Sequence, residues 1–207
     1  MCWKICRSLI LCVGLLANGS LFLMGCVKKE IANDWGREKT KSETISKSNK
    51  SALVNIELGL GYLEMEQISR AKVKLTHALQ LAPKLPEAHT SYAYFLEKVG
   101  DLKEAEQEHK EAIQLATTNL GAVYNNYGTY LCRQGQFVAA DAAFQNALTD
   151  KKYARTAEVY ENAGLCALKG AQYQKAEHYL KTAIQRDPNR LQAKNALQEM
   201  GYIGSTL

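Results

Sequence analysis

From residue 51 onward the sequence repeats itself with a period of about 35 residues. Small residues recur at intervals of 34, 35 and 36 residues, at Gly59, Ala93, Gly128 and Gly164. Two series of alanines keep the same three intervals: Ala71, Ala105, Ala140 and Ala176, and Ala78, Ala112, Ala147 and Ala183. Three series that stay in step over four copies restrict this part of the chain to a stack of four similar units.

A period near 34 residues is typical of tetratricopeptide repeats, in which each copy is a pair of antiparallel helices. The small residue of the first helix and the first alanine of the second are expected to meet where the two helices cross. Larger side chains lie four residues beyond that alanine, at Leu75, His109, Phe144 and Leu180. Turns within the pairs are expected at Gly100-Asp101, Gly135 and Gly170, and the three prolines, Pro83, Pro86 and Pro188, lie in links between copies.

The sequence therefore predicts an all-α fold, a right-handed tetratricopeptide-repeat solenoid of about four helix pairs. The repeat domain is expected to span residues 51–190. The four copies are expected at residues 52–85, 86–120, 121–156 and 157–190. Residues 191–207 are expected to form a capping helix, Leu191–Met200, followed by a short tail.

Residues 1–25 have the layout of a secretory signal, with a cationic start, MCWKICR, before an uncharged apolar run. The run ends in Leu23-Met24-Gly25-Cys26, which resembles the lipobox of bacterial lipoproteins. This resemblance implies that the signal is cleaved and that Cys26 carries lipid. Val27 stands where enteric lipoproteins retained in the inner membrane have Asp, which implies a lipid anchor on the periplasmic face of the outer membrane. The alternative is an uncleaved transmembrane helix.

Residues 26–50 are polar and rich in Ser, Lys and Thr, which predicts a lipidated flexible tether. A flexible coil of about 25 residues has a root-mean-square span of roughly 25–30 Å. The formal charge of +5 belongs to the signal and the tether, because residues 51–207 contain 17 basic and 17 acidic side chains. Nucleic-acid binding by the repeat domain is therefore not expected.

A stack of this kind presents its first helices along a concave surface, which usually holds a segment of a partner protein. By repeat position, the side chains on this surface are expected to be Ile56, Leu60, Leu63, Thr90, Tyr94, Glu97, Asn125, Asn126, Thr129, Arg133, Glu161, Leu165 and Lys169. The apolar end of this surface is expected in repeat one. The alternative for the leucines is contact with the tether or with the neighbouring repeat.

Two adjacent asparagines, Asn125 and Asn126, have two possible roles at this surface. Their amides can bond to the backbone of a bound ligand, as donor and acceptor together. Alternatively, they can form an internal hydrogen-bond ladder to the next repeat, through Glu161 or Asn162.

Two of the six cysteines, Cys132 and Cys166, lie within the repeats, at nearly the same level on adjacent first helices. Such helices pack roughly 8–10 Å apart, so the two thiols can approach bridging distance. Our hypothesis is a disulfide between repeats three and four, which would contribute roughly 3–4 kcal/mol in the chain-entropy model. The alternative is two buried free thiols.

No pattern in the sequence predicts an enzyme. The four histidines lie on different helices and have no metal-ligand spacing. His109 occupies a filler position, where a hydrogen-bonded interior ring or a half-exposed ring is expected. Because there is also no phosphate loop or nucleophile elbow, we expect no catalytic residue, metal, cofactor or small-molecule substrate.

The segments VYNNYGTYLCRQGQFVAADAAFQNAL and ENAGLCALKGAQYQKAEHYLKTAIQRDP carry a more specific signal. They resemble the type IV pilus biogenesis lipoproteins of the PilF/PilW family, the pilotins, and the resemblance covers the whole chain after the signal. It implies a lipid-anchored solenoid that brings the secretin, the ring-shaped pore through which the pilus exits, to the outer membrane. It also implies help with secretin multimerisation or stability, and a disulfide between Cys132 and Cys166. The alternative is another envelope adaptor lipoprotein, serving outer-membrane barrel assembly or peptidoglycan enzymes.

Overall fold

The computed structural model describes residues 34–204, with side chains from residue 44 to residue 201. These residues form helices and no strands. The helices are α1 (Asp34–Glu64), α2 (Ile68–Leu81), α3 (Pro86–Val99), α4 (Leu102–Leu115), α5 (Leu120–Arg133), α6 (Phe137–Thr149), α7 (Thr156–Lys169), α8 (Tyr173–Arg186) and α9 (Leu191–Gly204). The expected signal peptide and Cys26 lie outside the described residues.

The helices pack in consecutive pairs, α1 with α2, α3 with α4, α5 with α6 and α7 with α8. Short loops connect the members of each pair, as in an antiparallel helical hairpin. Each first helix also contacts the first helix of the next pair, and α9 lies against both α7 and α8. The all-α tetratricopeptide solenoid of four helix pairs is therefore confirmed, and α9 covers its last face as a first helix of a fifth pair would.

The turn within every pair uses a residue with positive φ, and these residues recur at the repeat period. They are Glu66, Gly100, Gly135 and Ala171, with φ between 56° and 88°. Glycine adopts this left-handed conformation without strain, whereas Glu66 and Ala171 are held in it by the helices on either side. Gly170, which the sequence analysis assigned to the turn, has an ordinary φ of −83°. Its small size instead makes room for the Phe137 ring, which a Cβ would meet at 2.9 Å.

In repeats one, three and four, the small residue of the first helix lies very close to the large filler of the second helix. A Cβ added to Gly59 would lie 2.5 Å from Leu75. The corresponding distances are 2.7 Å from Gly128 to Phe144 and 2.7 Å from Gly164 to Leu180. The repeat pattern predicted that each small residue would meet the alanine that lies four positions before the filler. That alanine is fully buried beside the crossing, but the filler makes the nearest contact.

The first helix is longer than expected, and this changes the predicted tether. Helix α1 begins at Asp34 and runs without a break into repeat one. The prediction of a flexible tether is therefore wrong for residues 34–50, while residues 26–33 lie outside the described part of the chain. A helix nucleated by packed residues extends at little cost into a neighbouring segment that lacks proline. The hydroxyl of Ser48 also donates a hydrogen bond to the carbonyl of Leu81 at the end of α2.

The contact at Gly128 gives a direct test of this packing. We expect Gly128→Ala to lower the free energy of unfolding by about 1–3 kcal/mol, because the new methyl group would overlap the Phe144 ring. Gly61→Ala is the matched control, since it changes the same atoms in α1 and meets nothing within 4 Å. That variant should gain about 0.5–1 kcal/mol from helix propensity. Equal stability of the two variants in urea unfolding would contradict the packing described.

Candidate functional site

A depression of about 320 Å³ opens on the first helices of repeats one to three, and we call it the groove. It is lined by Leu60, Glu64, Thr90, Ser91, Tyr94, His109, Asn126, Thr129 and Arg133. Helices α1, α3 and α5 supply all of these except His109, which comes from α4, the second helix of repeat two. The groove therefore lies where the sequence predicted a concave binding surface, but it includes only part of the predicted lining.

The rim of the groove is held by Arg133, which joins α5 to α3. Its guanidinium donates two hydrogen bonds to the Glu97 carboxylate, and the Nη2–Oε2 distance is 2.6 Å. The same group lies over the Tyr94 ring, with 5.6 Å between Cζ and the ring centroid. Glu97 was predicted to line the surface, and here its role is to pair with Arg133. Because the pair is bidentate, it sets the distance between repeats two and three at this point.

The floor of the groove contains His109, a residue to which the sequence analysis gave only a packing role. The side chain is 2% exposed, and neither ring nitrogen has a hydrogen-bond partner among the residues that the structure describes. The ring packs against Tyr130 and Tyr127, with centroids 4.9 and 5.7 Å away. Burial, with a smaller effect from the Arg133 charge, lowers the pKa of His109 to about 4. The ring is interior, as expected, but it is neutral and unsatisfied rather than hydrogen-bonded.

Two threonines present oxygen atoms to the groove. The hydroxyl of Thr90 donates to the carbonyl of Pro86 at 2.9 Å, and that of Thr129 donates to the carbonyl of Asn125 at 2.8 Å. Each hydroxyl has used its only hydrogen within its own helix. Both oxygens can therefore still accept a hydrogen bond from a ligand, but they cannot donate one.

The two asparagines of repeat three have different roles. The side chain of Asn125 is 2% exposed, donates to Glu158 at 3.3 Å and accepts from Asn162 at 3.1 Å. It forms the internal ladder between α5 and α7 that the sequence analysis gave as one alternative. Asn126 is exposed at the groove, and its amide has no partner among the residues with described side chains. It is the asparagine available to a ligand.

Several predicted lining residues are structural instead. Ile56 and Leu63 are buried in the core, and for Leu63 the alternative of packing against the neighbouring repeat applies. Leu60 is the only apolar side chain that repeat one contributes to the groove. Leu165 packs half-buried against the core between α8 and α9. Lys169 is exposed near the end of α7, outside the groove.

Glu161, also predicted to line the surface, is buried and fastens the capping helix. It accepts a hydrogen bond from Arg190 at 3.0 Å and another from the backbone N–H of Ala193 at 3.1 Å. The second bond satisfies an N–H in the first turn of α9, which has no partner within its own helix. The Glu161 carboxylate therefore caps the N-terminus of α9.

Cys132 and Cys166 form a disulfide between α5 and α7, with their Cα atoms 5.7 Å apart. Both residues are buried. The structure therefore contains the bridge of our hypothesis rather than two free thiols. Together with the Asn125 ladder, it joins repeats three and four along their first helices. Within residues 34–204, no helix combines the length and the apolar character needed to cross a membrane.

A solenoid of helix pairs with a groove on its first helices defines a tetratricopeptide-repeat protein, a class that binds other polypeptides. The tetratricopeptide-repeat family model matches residues 157–190. The chain is 31% identical over 148 residues to an uncharacterized protein of Haemophilus influenzae, a match that covers 72% of this chain and 82% of the relative. It is 30% identical over 178 residues to the type IV pilus assembly protein PilF of Pseudomonas aeruginosa, over 86% of this chain.

The chain belongs to the PilF/PilW family of type IV pilus tetratricopeptide-repeat proteins. A solved structure of Pseudomonas aeruginosa PilF matches it with a TM-score of 0.68 at 27% identity, over 77% of this chain and 72% of the other. PilW, a type IV pilus biogenesis factor, shares the fold with a TM-score of 0.66 at 24% identity, over 76% and 71% of the two chains. The present chain spans 66% of the full length of Pseudomonas aeruginosa PilF.

The neutral state of His109 predicts a specific loss of stability in acid. The unfolded ring has its ordinary pKa near 6.5, whereas the folded ring titrates at about 4, so the unfolded chain takes up the proton first as the pH falls. Between pH 6.5 and pH 4 the free energy of unfolding should fall by about 3 kcal/mol on account of this ring, with no further loss below that range. His109→Phe should remove this component. Urea unfolding of both proteins at pH 7 and pH 4 measures it, and equal losses would contradict the burial of a neutral ring.

Proposed function

We propose that this protein is an outer-membrane pilotin that binds the secretin of the type IV pilus machinery and promotes its localisation, multimerisation or stability. Membership of the PilF/PilW family supports the pilus context. The observation that carries the proposal is the groove, because it places unpaired polar groups beside apolar side chains across three repeats.

The size and chemistry of the groove suit a short polypeptide segment. Adjacent first helices lie about 8–10 Å apart, so three of them span about 20 Å, which corresponds to about six residues of extended chain. Asn126 can both donate to and accept from a peptide backbone. Thr90 and Thr129 offer acceptors for its N–H groups, and Leu60 and Tyr94 offer apolar surface for its side chains.

The protein acts in this proposal as a non-enzymatic scaffold. The groove holds a secretin segment while lipid on Cys26 confines the complex to the outer membrane. Confinement raises the effective concentration of secretin subunits for one another and so favours ring assembly without bond chemistry. A single acyl chain binds a membrane only marginally, so stable anchoring needs more than one. A modified lipoprotein cysteine carries several acyl chains.

The groove is tested by Asn126→Arg, which places a long charged side chain where the partner would lie. We expect this variant to bind the purified periplasmic region of the secretin at least tenfold more weakly than the wild type, because the arginine occupies the site and must be desolvated. Asn146→Arg is the matched control, since it makes the same change at an exposed position of the second helix α6. Isothermal titration calorimetry provides the measurement, with circular dichroism to show equal helical content.

Binding that is equally strong in both variants would remove the groove as the secretin site. Absence of binding by the wild type would contradict the proposed partner. Weaker binding in the Asn146→Arg variant alone would place the site on the second helices.

The anchor is tested separately through Cys26. Cys26→Ala removes the thiol that is proposed to carry the lipid, so we expect the protein to leave the outer-membrane fraction and secretin multimers to decline in cells. Membrane fractionation and labelling with a fatty-acid analogue measure the two effects. A Cys26→Ala protein that still fractionates with the outer membrane would show that the proposed anchor is wrong.

A further inference from the structure

The His109 ring is a polar group that the fold itself does not need. At the equivalent position the other three repeats have Leu75, Phe144 and Leu180, which pack apolar atoms against the glycines of their partner helices. His109 lies at the same interval after Ala93, yet both of its ring nitrogens are buried without a hydrogen-bond partner in the described part of the chain. A buried donor or acceptor that is left unpaired destabilises a protein, so an apolar side chain would serve stability better here.

The position of the ring suggests a different use. His109 is the only groove residue contributed by a second helix, and it reaches the floor from beneath α3 and α5. Asn126 and Arg133 lie above it at the rim, and both have exposed side chains. The Asn126 side chain has no hydrogen-bond partner among the described side chains, so it can turn aside without disturbing a helix, which would open the ring to a group entering from the groove.

We propose that His109 is a specificity-determining residue of the groove, which hydrogen-bonds one hydroxyl or carboxamide side chain of the bound polypeptide. The inference rests on the proposed function, because it requires the groove to hold a polypeptide. To the proposed function it adds the chemical class of the partner side chain that His109 binds at the floor of the groove. A partner segment with only apolar side chains would leave the ring unpaired and bind less tightly.

The surroundings of the ring select a neutral group. Glu64 lines the groove and Glu97 borders it in the pair with Arg133, so a carboxylate entering the floor would meet two others and one guanidinium that is already occupied. An ammonium group would have to give up its hydration beside a buried ring that carries no compensating charge. A neutral imidazole offers a donor on one nitrogen and an acceptor on the other, and either tautomer can face the groove. Hydroxyl and carboxamide groups pair with both tautomers, because they donate as well as accept.

The first experiment compares two variants in binding to overlapping peptides that cover the periplasmic region of the secretin. His109→Phe keeps a ring that can pack against Tyr127 and Tyr130 but removes both polar nitrogens. We expect it to unfold at higher urea concentration than the wild type and to bind the best peptide about tenfold more weakly. His109→Gln restores a donor and an acceptor and should recover part of the affinity.

The second experiment identifies the side chain that is read. Each hydroxyl or carboxamide residue of the bound peptide is replaced by an apolar residue of similar size, and binding is measured to both the wild type and His109→Phe. One replacement should weaken binding to the wild type about tenfold and leave binding to His109→Phe unchanged. The His109 ring ¹⁵N resonances of the wild type should also shift when the parent peptide binds and shift less with that replaced peptide.

The outcomes separate this inference from the proposed function. If His109→Phe binds as tightly as the wild type, or if no replaced peptide shows coupling to position 109, the inference is overturned while groove binding stands through Asn126→Arg. If the wild type binds none of the secretin peptides, the proposed function and the inference are both overturned. If His109→Phe does not fold, the ring resonances of the wild type decide, and unchanged resonances on peptide binding overturn the inference.

Discussion

The structure depends on the close approach of two helices within each pair, where a filler side chain presses against the backbone of the opposite helix. At Gly59, Gly128 and Gly164 the approach is too close for any Cβ, so the filler atoms take its place. This contact sets the angle at which the two helices cross, and repetition of that angle builds the curved stack. Repeat two has a different pair at this point, Ala93 and His109. The one repeat that departs from the packing rule is also the repeat at the centre of the groove.

The repeat period was sufficient to predict the helix pairs, because it reports contacts that each copy makes within itself. The ends of the solenoid were harder. Residues 34–50 have a composition typical of a flexible segment, yet they are helical, since their helix continues from packed residues and is not formed alone. The turn after α7 was predicted correctly at Gly170, but its residue with positive φ is the neighbouring Ala171, which carries no turn signal in the sequence. Only the packing of Phe137 explains why that glycine is needed.

The candidate site was predictable as a surface but not as a set of side chains. Repeat position places both Asn125 and Asn126 on the first helix. Because they are adjacent, they lie on different faces of that helix, so the Asn125 amide is inside the protein and Asn126 lines the groove. Glu161 has the sequence pattern of a binding residue, but its carboxylate is already hydrogen-bonded to the capping helix. His109 gave no signal beyond its departure from an apolar series. Such a departure is where a polar residue has a role that the packing of the repeat does not explain.

The long first helix has a mechanical consequence. The segment from Asp34 to Lys50 is a rod of about 25 Å that is continuous with the helix bearing Leu60 and Glu64. A coil would transmit only tension, whereas a rod transmits direction and torque. Any displacement imposed at its far end is delivered to one wall of the groove, while the opposite wall, on α5, is braced by the disulfide to repeat four. The position of one wall is therefore set from the amino-terminal side and that of the other wall from repeat four. A pull or tilt at the amino-terminal side would change the width of the groove.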